Sequence, residues 1–409
     1  MITIITNGRI LDCVGEQPTE DSSVIIEDGI IKDVYSGRKQ LPEGKVVDVG
    51  GRTVLPGLID AHTHPATTDM DMYRGFKEPP IVLASKIRDN LERELLAGFT
   101  TIRDMGVGNV ALKQAVEDGV LKGPRMFVCN HWLSQTGGVG DPSNRGDFSG
   151  LPKDDSLIAV GRIVDGPDEA RKAAREQLRA GADQLKVYAS AGIISRGRPD
   201  AQNMTNEEIR AVVEEAEAIG TYVGAHATND LAIRRCLECG VRTIEHGTEI
   251  TEETAVMLKE KGAFFVSTIA IGYLSIKYGR QWGAPEHFVR RMEQTRRDRV
   301  HMEAARVAHE AGATICAGSD CVGPGIGYEG LTPSLLVEAG MTHYEAIKAS
   351  TINNAKLLRM EDKIGSIEIG KWADVIVVDG HPDGDAYALA EPNNVRLVMK
   401  KGEIFKLTL

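Results

Sequence analysis

The sequence is poor in cysteine, aromatic residues and long apolar runs, and it is short of positive charge. Six cysteines in 409 residues are too few for a disulfide scaffold and fit a reducing cytoplasm. Two of them, Cys236 and Cys239, form a C-x-x-C late in a predicted helix over 229–239. The negative end of the helix dipole disfavours a thiolate there, and no second pair completes a zinc site, so buried apolar thiols are expected. With 48 Lys and Arg against 59 Asp and Glu, the formal net charge is −11 and no basic cluster is present. That balance excludes a nucleic-acid backbone or an anionic membrane surface as partner, since both require grouped cations. No window approaches the roughly 18 apolar residues of a membrane helix, and MITIITNGRI lacks the basic start and apolar run of a signal peptide. The expected location is cytoplasmic, and the expected partner is a small-molecule substrate, with a homo-oligomer left open.

What is present is a globular composition, 42% hydrophobic and 26% charged, arranged in two styles. The first 56 residues alternate apolar and polar positions between Gly, Asp and Asn, which reads as short strands and turns. The segments IGSIEIGKWADVIVVDG and NNVRLVMKKGEIFKL return to that style. Residues 1–56 and 363–409 therefore pair into one small β-sandwich domain. Between them, over 57–362, strand-like runs alternate with amphipathic segments about eight times, the pattern of parallel βα units closed as a (β/α)8 TIM barrel. Strands are expected at 58–62, 100–103, 126–130, 184–187, 222–226, 243–246, 264–268 and 314–317, with helices including 81–97, 168–180, 206–219, 229–239, 251–261 and 285–311.

In such a barrel the chemistry collects at the C-terminal ends of the strands, whose loops share one mouth. The unusual residues fall there. His62-Thr63-His64 places two imidazoles on one face of an extended chain, because side chains alternate with period two. His226 in YVGAHATN and His246 in TIEHGTE end the fifth and sixth strands, and Asp320 in ICAGSDCVG follows the eighth. Lys186 in GADQLKVYAS stands in an apolar parallel strand, a poor home for an ammonium group. An amine there can add CO2 to become a carbamate that bridges two cations about 3.5–4 Å apart; a plain counter-charge to a carboxylate is the alternative. The G-x-G-x-x-G of Gly325, Gly327 and Gly330 opens no βαβ unit and reads as a mobile loop at the mouth, not a dinucleotide site. His287, His301, His309, His343 and His381 read as surface or packing residues.

Taken together, LPGLIDAHTHP, the lysine strand, EHG, AGSD and the closing STINNAKLL and IGSIEIGKWADVIVVDG resemble the amidohydrolase superfamily. The likeness is to its imidazolonepropionase-related branch, with Xaa-Pro dipeptidases and Lys/Arg carboxypeptidases. The resemblance implies two divalent metal ions: His62, His64 and Asp320 on one, His226 and His246 on the other, and a CO2-derived carbamate on Lys186 between them. It implies Zn2+, though the ligands suit Co2+ or Mn2+ as well. It also implies hydrolysis of a C–N bond in an amide, peptide, carbamate, urea or lactam. A hydroxide between the metals would attack, with Asp320 as general base and then acid. A mononuclear deaminase or cyclic-imidate hydrolase is the alternative, and a binding protein that kept only the barrel is a third. One departure stands out: where dipeptidases of the family often read T-G-G-H-G-D, this chain has Thr136-Gly137-Gly138-Val139-Gly140-Asp141. Val139 cannot donate to a substrate carboxylate, which turns the expectation toward uncharged substrates unless His131 compensates. Tyr188 is placed to contact substrate, with Tyr328, Ser195 and Arg196 as further candidates from loops.

Overall fold

The computed structural model describes residues 1–15, 17–37, 40–141, 143, 157–192, 198 and 200–409. Eight parallel strands carry the central part of the chain: Leu58–Thr63, Phe99–Asp104, Arg125–Val128, Leu185–Tyr188, Val223–Asn229, Thr243–Glu249, Phe264–Ser267 and Thr314–Ala317. Four of them are buried along their whole length and the other four at most positions or alternate ones, as strands covered on both faces tend to be. The first three form one sheet. The other five form a second, extended at its edge by the short strands Leu133–Ser134 and Arg162–Ile163.

The two sheets are bridged at both seams. At one, Asp183 N donates to Val128 O at 2.8 Å; at the other, Asp320 N donates to His62 O at 2.7 Å and His64 N to Cys321 O at 3.2 Å. Asn354, in the helix Ile352–Leu357, adds a brace to the second seam. Its side-chain amide donates to Ile59 O at 2.6 Å on the first strand and to Ala317 O at 2.8 Å on the eighth. This seam places His62, His64 and Asp320 beside one another.

The helices follow the usual local rules. Pro167–Arg179 buries Ala170, Ala173, Ala174 and Gln177, an i, i+3, i+4, i+7 stripe. Asn206–Ala218 begins with a capping box between Thr205 and Glu208. The helix expected over 285–311 is instead two, Glu286–Gln294 and Arg297–Glu310, separated at Arg296, which is left-handed with φ 47°. Neither glycine nor proline breaks it; the chain turns there so that the second helix packs on the strands while the first does not. None of the described helices is long and apolar enough to cross a membrane.

The chain ends meet where Val375–Val378 pairs antiparallel with Thr53–Pro56. The terminal strands form one eight-stranded sheet, seven of them on one hydrogen-bonded path and Lys45–Asp48 paired beside it with Ile2–Ile10. That path curls. A Cβ added at Gly29, in one hairpin turn, would come within 2.5 Å of Lys401 O in a turn of the opposite end.

Replacing Asn354 by Ala leaves two buried carbonyls without their donor, and an unpaired buried acceptor costs about 1–3 kcal/mol. The variant is expected to unfold at lower urea concentration by at least that free energy, with an unchanged slope against denaturant. An unaltered midpoint would mean that the seam does not depend on this brace.

Candidate metal centre

The period-two geometry of the first strand brings His62 and His64 to one face, their rings 5.2 Å apart and nearly perpendicular. Alternation alone would then send only one of Glu245 and His246 inward from the sixth strand. Both arrive, because His246 and Gly247 are left-handed, with φ 71° and 54°, and redirect the imidazole. Its ring lies 5.0 Å from that of His62 and 4.5 Å from that of His226. Asp320 is left-handed as well, with φ 56°. His and Asp tolerate this region better than most residues, yet such backbone still costs about 1–3 kcal/mol and collects at functional sites.

The carboxylate of Asp320 faces three of the four imidazoles. Its Oδ1 is 3.2 Å from His64 Nε2 and 3.6 Å from His62 Nε2, and its Oδ2 is 3.8 Å from His246 Nδ1. Donor atoms of His62, His246 and Asp320 all fall within 4.8 Å of one another, close enough to share an ion. Each histidine has one ring nitrogen tied down. His62 Nδ1 is 2.8 Å from Glu245 Oε2, His64 Nδ1 is 2.9 Å from Gly106 O, and His246 Nδ1 is 2.8 Å from Thr268 Oγ1. The His226 ring is hydrogen-bonded to the Ala191 backbone, while its Nε2 is buried with no partner among the described residues. A Cβ at Gly192 would stand 2.9 Å from that nitrogen, so only glycine leaves the space open.

This is the arrangement a metal requires: imidazoles oriented through one nitrogen, with the other free as a neutral donor. Burial pushes His62 and His246 well below the ordinary histidine range and His226 down to about 3, so all three are neutral imidazoles at physiological pH. Burial lowers His64 too, but Asp320 more than offsets it and the net shift is upward. Lys186, 2% exposed, lies on the same strand face as Tyr188, with Nζ 5.6 Å from that ring's centre. Burial brings its amine down to about 8, against the pull of Glu245.

Several supporting residues were not singled out from the sequence. The Glu245 carboxylate that orients His62 also accepts both oxygens' worth of hydrogen bonds from Arg103 Nη2, each 2.9 Å, and both side chains are wholly buried. Arg103 reaches Thr243 Oγ1 at 3.1 Å and the Ala61 carbonyl besides. Asp60, whose carboxyl burial pushes up to about 7, accepts from the backbone of His62 at 2.9 Å and Ser319 at 3.0 Å. His301, read from the sequence as a surface or packing residue, is buried and meets Thr268 Oγ1 at 3.3 Å behind His246.

The substrate candidates divide. Tyr188 stacks on His226 at 4.8 Å and meets Trp132 edge-on at 5.9 Å. His131 turns its Nδ1 to the Val160 carbonyl, so this nitrogen is engaged with backbone. Val139 is half-buried in the turn whose Gly140 carbonyl accepts from Trp132 Nε1 at 2.7 Å. Tyr328 stands with Trp282 and Tyr278, at 5.4 and 6.2 Å, and makes no ring contact with the histidines. Its segment is packed, not free: Glu329 is buried and accepts from Gly327 N at 2.8 Å, and a Cβ at Gly330 would meet Leu389 O at 2.0 Å. Ser195 and Arg196 lie outside the described residues. All six cysteines are free and buried, and burial pushes Cys236 up to about 12, consistent with inert thiols.

Residues 53–405 match the amidohydrolase family. The chain is 30% identical to an ochratoxinase of Aspergillus niger, over 99% of this chain and 87% of that protein. Among solved structures it is similar to a prolidase complexed with N-methylphosphonate-L-proline, with TM-score 0.93, 35% identity and 100% of both chains covered. It is likewise similar to a Xaa-Pro dipeptidase with methionine bound in the active site, with TM-score 0.89, 31% identity, 99% of this chain and 100% of that one. The chain belongs to the amidohydrolase family and is a hydrolytic enzyme acting on carbon–nitrogen bonds.

Glu245→Gln keeps the shape but removes the charge that Arg103 and His62 share. Leaving a buried ion without its partner costs about 3–5 kcal/mol, and loss of a group that orients a ligand typically weakens metal binding about 10- to 100-fold. Both effects are expected together, in denaturant unfolding and in metal titration. Metal affinity within threefold of wild type would remove Glu245 from the site's support.

Proposed function

We propose that the chain hydrolyses an amide-type C–N bond of a small-molecule substrate, using two divalent ions held by His62, His64, Lys186, His226, His246 and Asp320. Zn2+ fits these donors best, with Co2+ and Mn2+ as substitutes. The observation that carries the reading is a set of four imidazoles from the first, fifth and sixth strands, each fixed through one nitrogen and three of them facing Asp320, with a buried lysine on the fourth strand. Within the same proposal the eight parallel strands close as a (β/α)8 barrel over 57–362. Residues 1–56 and 363–409 form the second domain, its curled sheet folded as a sandwich.

Divalent ions bound here would supply Lewis acidity toward the carbonyl oxygen and bring the pKa of water from about 15.7 to about 7. The protein's own side chains do the rest. Lys186, with its amine brought to about 8 by burial, reacts in its neutral form with CO2. A new C–N bond forms as a proton leaves, and the carbamate carries one negative charge shared by its two oxygens. Asp320, which keeps a 21% exposed side chain, takes a proton from the attacking water as its oxygen bonds to the carbonyl carbon. It returns that proton to the leaving nitrogen as the C–N bond breaks. Tyr188, on the face of Lys186, is the side chain set to meet the substrate.

A mononuclear reading draws on one observation: among the described residues, donor atoms of three side chains, His62, His246 and Asp320, come within 4.8 Å of one another. It leaves Lys186 and the unpartnered His226 Nε2 without a purpose.

The test is Asp320→Asn, assayed by hydrolysis of amides, dipeptides, carbamates, ureas and lactams. Turnover is expected to fall by about 100- to 10,000-fold, the usual contribution of a general acid–base group, with the unfolding midpoint little changed. A loss of only a few-fold would place the base elsewhere.

A further inference from the structure

The buried stripe of the helix Arg297–Glu310 is His301, Ala304, Ala305 and Ala308, spaced i, i+3, i+4, i+7, and the helix lies against the sixth, seventh and eighth strands. Three of the four are small and apolar; the fourth is an imidazole. Its Nδ1 lies 3.3 Å from Thr268 Oγ1, and that same hydroxyl lies 2.8 Å from His246 Nδ1. All three side chains are buried. Thr268 stands at the N-cap of the helix Ile269–Tyr278, where a threonine hydroxyl ordinarily accepts from a backbone N–H of the first turn. Here it makes no such bond. The hydroxyl is turned to the two imidazoles instead.

A hydroxyl has a single proton, so between two rings it donates to one and accepts from the other. The two possible arrangements have opposite consequences. If His301 Nδ1 accepts, Thr268 accepts in turn from His246 Nδ1–H, and the lone pair of His246 is left on Nε2. If His301 Nδ1 carries the proton, the chain reverses: His246 Nδ1 becomes the acceptor, and its protonated Nε2 is closed to a metal ion. Burial pushes His301 well below the ordinary histidine range, and the charge of Arg297 pushes it further. The ring therefore stays neutral and keeps a nitrogen able to accept, which an imidazolium lacks.

We propose that His301 is a positioning residue of the metal centre: it accepts the Thr268 proton at Nδ1, Thr268 accepts from His246 Nδ1–H, and His246 is held in the one neutral tautomer whose Nε2 lone pair is open to an ion. The purpose of this relay rests on the reading of His246 as a metal ligand given above, while the tautomer itself belongs to the metal-free chain. His301 touches neither ion nor substrate. Its effect passes through one hydroxyl, as that of a partner behind a metal-bound imidazole does. The N-cap of one helix and the buried stripe of another are thus both committed to the orientation of a single ring.

The test reads the tautomer directly, from the ring 15N shifts of His246 in full-length, metal-free protein labelled at histidine and assigned against His246→Gln. Wild type is expected to show His246 protonated at Nδ1 and bare at Nε2. His301→Leu, which fills the space without an acceptor, should lose that single tautomer and bind Zn2+ at least tenfold more weakly in chelator competition, the usual order for loss of an orienting partner. His301→Asn, whose side-chain oxygen can stand where Nδ1 stood, should keep the tautomer and stay within threefold of wild type. Thr268→Val should match His301→Leu, and combining the two should weaken Zn2+ binding by less than a further twofold, because both break the same relay. Circular dichroism establishes that each variant is folded. His246 protonated at Nε2 in wild type overturns the inference, and this result needs no variant. Zn2+ affinity within threefold of wild type in a folded His301→Leu overturns it as well. A tautomer that is present in wild type and lost in His301→Leu, in a protein that binds no Zn2+ at all, upholds the relay and counts against the metal reading instead.

Discussion

The site depends on one buried carboxylate with two obligations. Glu245 neutralises Arg103 in the strand-lined interior, where neither charge has access to water, and it holds His62 by Nδ1 so that Nε2 points toward Asp320. An ion pair of this kind adds little net stability, since desolvation consumes most of the Coulombic gain. Its effect is positional. Arg103 is fixed by Thr243 and the Ala61 carbonyl, Glu245 by Arg103, and His62 by Glu245. The orientation of the imidazole is thereby set by the first, second and sixth strands together.

On this support the backbone adopts conformations it would otherwise avoid. His246 and Asp320 are both left-handed, each at an expense of about 1–3 kcal/mol that the surrounding structure must over-determine. The return is geometric. Left-handed His246 lets consecutive residues, Glu245 and His246, serve the same site from one strand, and left-handed Asp320 brings a carboxylate across to His62 and His64. Bonds from Asp320 N to His62 O and from His64 N to Cys321 O hold that crossing in place.

Much of this was legible in the chain itself, and the limits have physical reasons. Buried parallel strands are nearly continuous apolar runs, so a histidine or lysine within one is conspicuous, which is what singled out His62, Lys186, His226 and His246, with His64 and Asp320 just beyond strands. The same argument applied to Arg103 in TTIRDMG and Glu245 in TIEHG would have exposed a buried charged pair. What hid it is a separation of 142 residues, because local pattern carries no information about which distant charge answers which. The division of 285–311 at Arg296 was beyond sequence reading, since neither Gly nor Pro marks it and packing alone selects the break. The role of His301 was hidden for the same reason, as its contact with Thr268 exists only once the second helix is docked.

On the proposed function, Lys186 joins two metal positions into one centre. Metal equivalents bound per chain, measured after chelation and reloading in the presence of bicarbonate, test it most directly. Close to two equivalents are expected in wild type. Fewer are expected in Lys186→Ala, with partial recovery when a short carboxylic acid takes the place of the bridging anion. A single equivalent in wild type, unchanged by loss of Lys186 or by bicarbonate, would contradict it.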